Sequence, residues 1–237
     1  MSNQAKYSGR ISTSSAQRRM ILNDDSPFAL QEAYKTLRTN LLFALRGDGC
    51  KRFCITSSMP GEGKSITILN LAISIAQTGK KVLLIDADLR RPAQARLLEE
   101  NIAPGLSNVL AGQVRAEDAI KVETYPNLDV MFSGDVPPNP SELLSSEQMR
   151  QLIKEMSEQY DFILVDAPPV NLVSDSCIIA SVLDGVVMLA RQGSARKDGV
   201  KQAIYQLQLT ETKILGYVFN GVVMDSKSYY RYGYGYK

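Results

Sequence analysis

Residues Ser58-Met59-Pro60-Gly61-Glu62-Gly63-Lys64-Ser65 follow directly on an apolar run from Phe53 to Thr56. Glycines let successive backbone N–H groups turn inward around a phosphate. Lysine adds a point charge for the β- and γ-phosphates, and the serine hydroxyl suits Mg2+. A helix expected over about 64–78 aims its positive end at the same anion. The stretch therefore reads as a phosphate-cradling P-loop, with Ser58 standing where the usual pattern opens with glycine. Pro60, Gly61, Glu62, Gly63, Lys64, Ser65 and Ile66 are the expected nucleotide-binding residues, with ATP and Mg2+ as the expected ligands.

Three carboxylates are expected at strand ends. Lys81-Val-Leu-Leu-Ile-Asp86 reads as a buried strand running into Asp88, and Phe162-Ile-Leu-Val-Asp166 as another, in a Walker B pattern. Ligands of an open α/β sheet bind beyond the carboxyl ends of its strands. Asp86, Asp88 and Asp166 are thus expected to converge, with the P-loop, on a γ-phosphate and Mg2+. The chain has no histidine. That excludes His-based zinc sites, His general bases and Ser-His-Asp triads. In a phosphoryl transfer, a carboxylate must then orient the nucleophile or take its proton. Asp86 or Asp88 is the candidate.

Elements must hold these groups in place. Apolar strands are expected at 52–57, 81–86, 128–132, 162–166, 186–189 and 214–220. Helices are expected at 26–46, 64–78, from Ser141 to about 159, and at 196–209, with short helices and turns over 93–126. Alternation of this kind predicts an α/β fold, a mostly parallel sheet with helices on both faces. The length of 237 residues and 44% apolar content suit one large domain. We divide the chain into a mobile basic arm (1–25), a P-loop domain (26–225) and a flexible tail (226–237). The tail carries Tyr229, Tyr230, Tyr232, Tyr234 and Tyr236, with Gly233 and Gly235 between them.

A net charge of +2 gives no reason to expect nucleic acid. Cys50, Cys54 and Cys177 form no C-x-x-C pair. Cys54 is expected in the core, and a reducing cytoplasm fits best. No stretch is apolar enough to span a bilayer, and the start lacks the apolar core of a signal peptide.

Taken together, the P-loop, the string Leu83-Leu-Ile-Asp-Ala-Asp-Leu-Arg-Arg-Pro92, the string Ile163-Leu-Val-Asp-Ala-Pro-Pro169 and the terminal tyrosines resemble the bacterial tyrosine kinases (BY-kinases). More narrowly they resemble the cytoplasmic CpsD/CapB type that regulates capsule and exopolysaccharide synthesis. The resemblance implies an ATP-dependent protein-tyrosine autokinase that phosphorylates the tail cluster between chains. It implies Asp86 as catalytic base, Lys64 on phosphate, and Ser65, Asp88 and Asp166 with Mg2+. Asn220 resembles an asparagine that lies near the nucleotide base in related ATPases. Glu32-x-x-Lys35-x-x-Arg38 resembles an oligomerisation motif of the family, with Lys35 where an arginine is usual; lysine keeps the charge but lacks the bidentate fork. The implied partners are further copies of the chain in a ring-like homo-oligomer, a transmembrane polysaccharide co-polymerase that activates it, and a tyrosine phosphatase. The implied location is the cytoplasm, at the inner membrane face through that partner. The alternative is a switch ATPase of the partitioning or septum-positioning kind, using nucleotide-gated dimerisation. That class has a signature lysine where Met59 stands, and no tyrosine-packed terminus.

Overall fold

The computed structural model describes residues 20–222. Seven strands form one sheet: β1 (Lys51–Ser57), β2 (Val82–Asp86), β3 (Ile120–Tyr125), β4 (Leu128–Met131), β5 (Phe162–Asp166), β6 (Gly185–Arg191) and β7 (Ile214–Asn220). Their order is β3-β4-β2-β5-β1-β6-β7. All neighbours pair in parallel except β3 with β4. Parallel strands need crossovers, and helices supply them on both faces.

Alternate residues of each strand enter opposite cores. Phe53, Ile55, Val82, Leu84, Phe162 and Leu164 face one core. That face is covered by α1 (Phe28–Ala44), α2 (Lys64–Ala76) and α3 (Gln94–Leu98). Cys54, Leu83, Ile85, Ile163, Val165 and Met188 face the other. There lie α4 (Leu106–Leu110), α5 (Ala116–Ala119), α6 (Pro140–Ser145), α7 (Glu147–Ser157), α8 (Asp175–Ala180) and α9 (Lys197–Leu209). β1, β2 and β5 sit in the middle of the sheet, so apolar residues run without alternation through 53–55, 82–85 and 162–165. Helix α2 is buried from Thr67 to Ala76 and is correspondingly apolar on nearly every side.

The expected strands and long helices appear within a few residues of their expected ends, with differences elsewhere. Strand β3 falls where only short helices and turns were expected. Its residues are half-buried or exposed and its register slips between Lys121 and Tyr125, so it has no clean period of two. The helix expected from Ser141 to 159 is two helices. Ser146 is extended (ψ 160°) and its hydroxyl accepts from Met149 N, starting α7 afresh. Short α8 was not foreseen.

The arm boundary also differs. Ile21 and Leu22 are buried against the α2 side of the sheet. Leu22 N donates to Asn70 Oδ1 at 2.8 Å, and Asn70 Nδ2 donates to Met20 O at 2.7 Å. One polar side chain inside an apolar helix thus docks the chain ahead of α1. Burying Leu22 contributes about 2 kcal/mol. Most of the arm, and all five tail tyrosines, lie outside the described residues.

Candidate functional site

The P-loop runs from the end of β1 into α2, whose N-cap is Gly63. Gly61 (φ +77°) and Gly63 (φ +97°) are left-handed, a conformation that costs glycine little. At Gly63 there is a second reason for glycine: a Cβ would lie 2.3 Å from Asn220 Nδ2. Pro60 and Gly61 are exposed, Ser65 and Ile66 half-buried, and Lys64 buried.

Glu62 is fully buried and turns its carboxylate beneath the loop. Its Oε1 accepts from Ser58 Oγ at 2.7 Å and Met59 N at 2.9 Å, and its Oε2 from Arg191 N at 3.3 Å. Its carbonyl accepts from Asn220 Nδ2 at 2.9 Å. The carboxylate therefore braces the loop from beneath. Ser58, in place of the usual glycine, supplies one of the braces at an ordinary negative φ. Asn220, expected beside a nucleotide base, donates through Nδ2 to Glu62 O of the P-loop, and its Oδ1 accepts from the N–H of the next residue, Gly221.

Asp86 and Asp166 are register partners at the ends of β2 and β5, and both are fully buried. Asp86 Oδ2 accepts from Ala93 N at 3.0 Å and Gln94 N at 2.9 Å, and Oδ1 from Asp88 N at 3.2 Å. Burial, and then the charge of Asp166, raise its carboxyl well above the usual range. Asp88 Oδ1 accepts from Arg91 N at 2.9 Å. Asp166 Oδ2 accepts from Gln94 Nε2 at 2.8 Å, while Oδ1 is buried and has no protein partner. Burial pushes Asp166 up to about 6, although Lys64, Ser65 and Gln94 pull the other way.

The three aspartates are thus brought to one edge of the sheet, beside the P-loop. They do not form a protein-only cation cage: among the described residues no three His, Cys, Asp or Glu side chains are grouped to hold a metal. The reason is local. Asp86 and Asp88 turn carboxylate oxygens onto the backbone of the loop that follows β2, where they fix its turn. Mg2+ at nucleotide sites takes one or two carboxylates and fills its shell with phosphate oxygens and water. An unsatisfied buried Asp166 Oδ1 fits that need.

Two groups escaped sequence reasoning. Gln94 joins Asp86, Asp166 and Ser65. Arg90 reaches Asp175, at the start of α8, with Nε–Oδ2 at 2.7 Å and Nη2–Oδ1 at 3.3 Å. Ser141 Oγ donates to the same Asp175 Oδ1 at 2.6 Å. This ties the loop after β2 to α6 and α8. The only sequence signal was the polar content of the run Arg90-Arg91-Pro-Ala-Gln94, which names no partners.

The three residues expected to mediate oligomerisation make different contacts in the fold. Lys35 is exposed and pairs with the half-buried Glu32 at 2.7 Å. Arg38 instead donates through Nη1 to Ser74 O and Ser74 Oγ on α2, pinning α1 to its neighbour. Among the described residues, no helix is long and apolar enough to cross a membrane.

Comparison with known proteins extends this picture. Residues 50–216 match the family model described as an AAA domain. The chain is 42% identical over 223 residues to the tyrosine-protein kinase YwqD of Bacillus subtilis, covering 93% of each chain. It is 38% identical over 204 residues to the tyrosine-protein kinase CpsD of Streptococcus agalactiae, covering 86% of this chain and 88% of that one. Among solved structures, the kinase domain of the Escherichia coli tyrosine kinase ETK superposes with a TM-score of 0.80 at 35% identity. That match covers 91% of this chain and 88% of that chain. The chimerical protein CapA2B2 superposes with a TM-score of 0.79 at 33% identity, covering 88% and 91%. The Pyrococcus furiosus cell division ATPase MinD shares the architecture at a TM-score of 0.61 and 26% identity, covering 71% of each chain. Nucleotide-binding loop, paired strand-end aspartates and sequence kinship agree: the chain belongs to the bacterial tyrosine-protein kinases and is an enzyme of that kind.

Proposed function

We propose that the chain is an ATP-dependent autokinase that phosphorylates its own terminal cluster, Tyr229, Tyr230, Tyr232, Tyr234 and Tyr236, between chains. It would thereby regulate capsular or exopolysaccharide synthesis and export. The observation that carries this reading is the pairing of Asp86 and Asp166 at the foot of a braced P-loop. A general base must hold a proton more readily than an ordinary carboxylate. Burial and a neighbouring charge give Asp86 that character. Backbone N–H groups of residues 60–66 and the Lys64 ammonium would receive the phosphates, with Asn220 keeping the loop in shape. Ser65, Asp166 and Asp88 would hold Mg2+, which when bound neutralises phosphate charge.

Glu32 and Lys35 would belong to a self-association face of a ring-like assembly. Arg38 would act there through the α1–α2 contact. Relatives named EpsB and Wzc are matched over only 27–28% of their length. The matched stretch is therefore read as the counterpart of one part of those longer proteins. The chain's activator would be a transmembrane polysaccharide co-polymerase, recruiting it from the cytoplasm to the inner membrane face, and a tyrosine phosphatase would reset the tail. Several phosphates on one tail repel one another and would leave a neighbour's acidic site.

The test is incubation of pure protein with Mg-ATP and mapping of phosphate by mass spectrometry. Phosphotyrosine confined mainly to 229–236 is expected, abolished by Lys64→Met and crippled by Asp86→Asn with nucleotide binding kept. ADP and free phosphate without phosphotyrosine would return the chain to the switch-ATPase reading. The MinD-like architecture is the observation that favours that second reading. Met59, in the place of the switch signature lysine, speaks against it.

A further inference from the structure

Gln94 is fully buried at the start of α3, and three motifs meet on it. Its backbone N–H donates to Asp86 Oδ2 at 2.9 Å. Its side-chain Nε2 donates to Asp166 Oδ2 at 2.8 Å and to Ser65 O, in the first turn of α2, at 3.0 Å. Both partners of Nε2 are acceptors, so the amide has one orientation that satisfies them. Its two N–H bonds are then used, and its Oε1 is left buried without a partner. Asp166 Oδ1 is in the same condition. Buried polar atoms are nearly always paired, so two orphaned acceptors, one on each partner of a single hydrogen bond, call for a donor or a cation. A carboxylate whose Oδ2 is clamped cannot swing, and its Oδ1 is presented in one direction only.

We propose that Gln94 is a positioning residue for the nucleotide's cation: its carboxamide clamps Asp166 and the first turn of α2 together so that Asp166 Oδ1 is held open as a ligand. This rests on the reading of the site as one for ATP with Mg2+. Gln94 touches no substrate; it acts through Asp166 and Ser65. Side chains that orient metal ligands typically matter tenfold to a hundredfold in affinity or activity. The clamp requires N–H donors. Methionine fills the same length without them. Glutamate keeps the shape, lacks the donors and sets a second carboxylate against Asp166.

The test separates the cation from the nucleotide. Fluorescent ADP is titrated onto the intact chain, once in EDTA and once in MgCl2, for wild type, Gln94→Met and Gln94→Glu, with circular dichroism as the check of folding. In Gln94→Met the gain in affinity brought by MgCl2 should fall by about tenfold or more. Affinity in EDTA should stay within about twofold of wild type. Gln94→Glu should lose more of the gain than Gln94→Met. Equal loss in both buffers would mean a merely structural residue, and no loss would mean an idle one; either result overturns the proposal. A wild-type chain that shows no gain with MgCl2 removes the cation reading itself, and this inference with it. Should the variants not fold, the side-chain amide resonance of Gln94 in labelled wild type decides. It should shift when MgCl2 is added to the ADP-bound protein, and a resonance that stays in place would overturn the proposal.

Discussion

Strand β5 has an aspartate just before it, Asp161, and another as its last residue, Asp166. Asp161 accepts from Lys81 N at 2.8 Å and Lys80 Nζ at 3.4 Å, half in water. The bond from Lys81 holds its carboxyl below the usual range. Asp166 is fully buried, is pushed up to about 6, and keeps one oxygen without a partner. Five residues apart at the two ends of β5, the two carboxyls differ in whether the fold completes their hydrogen bonding. At the amino end it does, and the aspartate closes the sheet. At the carboxyl end it does not, and the aspartate is left ready for a ligand. Asp175 sharpens the contrast. It is as buried as Asp166, yet Arg90 and Ser141 occupy both of its oxygens. Burial alone therefore does not set Asp166 apart from Asp175; the unfilled acceptor does.

The largest expected effect breaks the comparison at its functional end. Asp166→Asn should lower tyrosine phosphorylation by about a hundredfold or more, because it removes a negative charge where the proposed site would hold Mg2+. Radiolabel transfer from ATP measures it, and activity near that of wild type would reject the role. Next comes Asp175→Ala. It strips Arg90 of its partner and should lower stability by about 2 kcal/mol, less than for a wholly buried pair because Arg90 is partly in water. Urea denaturation reads this.

The third prediction has the opposite sign. Ligand-free Asp166→Asn should be more stable than wild type by about 1 kcal/mol at neutral pH, since the cost of a buried charge disappears. The sign follows from the raised proton affinity. Between the ordinary carboxyl value and about 6 the folded wild type binds more protons than the unfolded chain, so its stability falls as pH rises through that window. The margin of the variant over wild type should therefore grow between pH 4.5 and pH 7 in metal-free buffer. A margin that does not change with pH would mean that Asp166 does not titrate there. Smallest is Asp161→Asn, expected to cost about 0.5 kcal/mol and leave phosphorylation unchanged. A loss of activity there would mean that the amino end of β5 is not merely structural.

Legibility in the sequence followed the range of the forces involved. The central strands were readable because β1, β2 and β5 are covered on both faces and carry short apolar runs at 53–55, 82–85 and 162–165. β3 was not readable, since an edge strand half in water has no such pattern. The break at Ser146 is a local capping event inside what looked like one amphipathic run. The docking of Ile21 and Leu22 depends on Asn70, forty-eight residues away from Leu22. The P-loop was legible as a motif because glycine, lysine and serine answer to the shape and charge of a phosphate.

The tertiary structure decided what those groups do with their remaining valences. The identity of Glu62 gave no hint that its carboxylate faces inward to Ser58, Met59 and Arg191. Nor did Arg38 announce its bond to Ser74 rather than to solvent. The sequence by itself determined the α/β class, the phosphate loop and the presence of strand-end aspartates, since each depends on neighbours in the chain and on polarity. Which aspartate keeps an open oxygen, and which residue holds it open, depends on hydrogen-bond partners drawn from α2, α3 and β5 at once. Gln94 and Asp166 lie seventy-two residues apart. Only the folded sheet brings them within 2.8 Å and leaves Gln94 Oε1 and Asp166 Oδ1 buried without a protein partner.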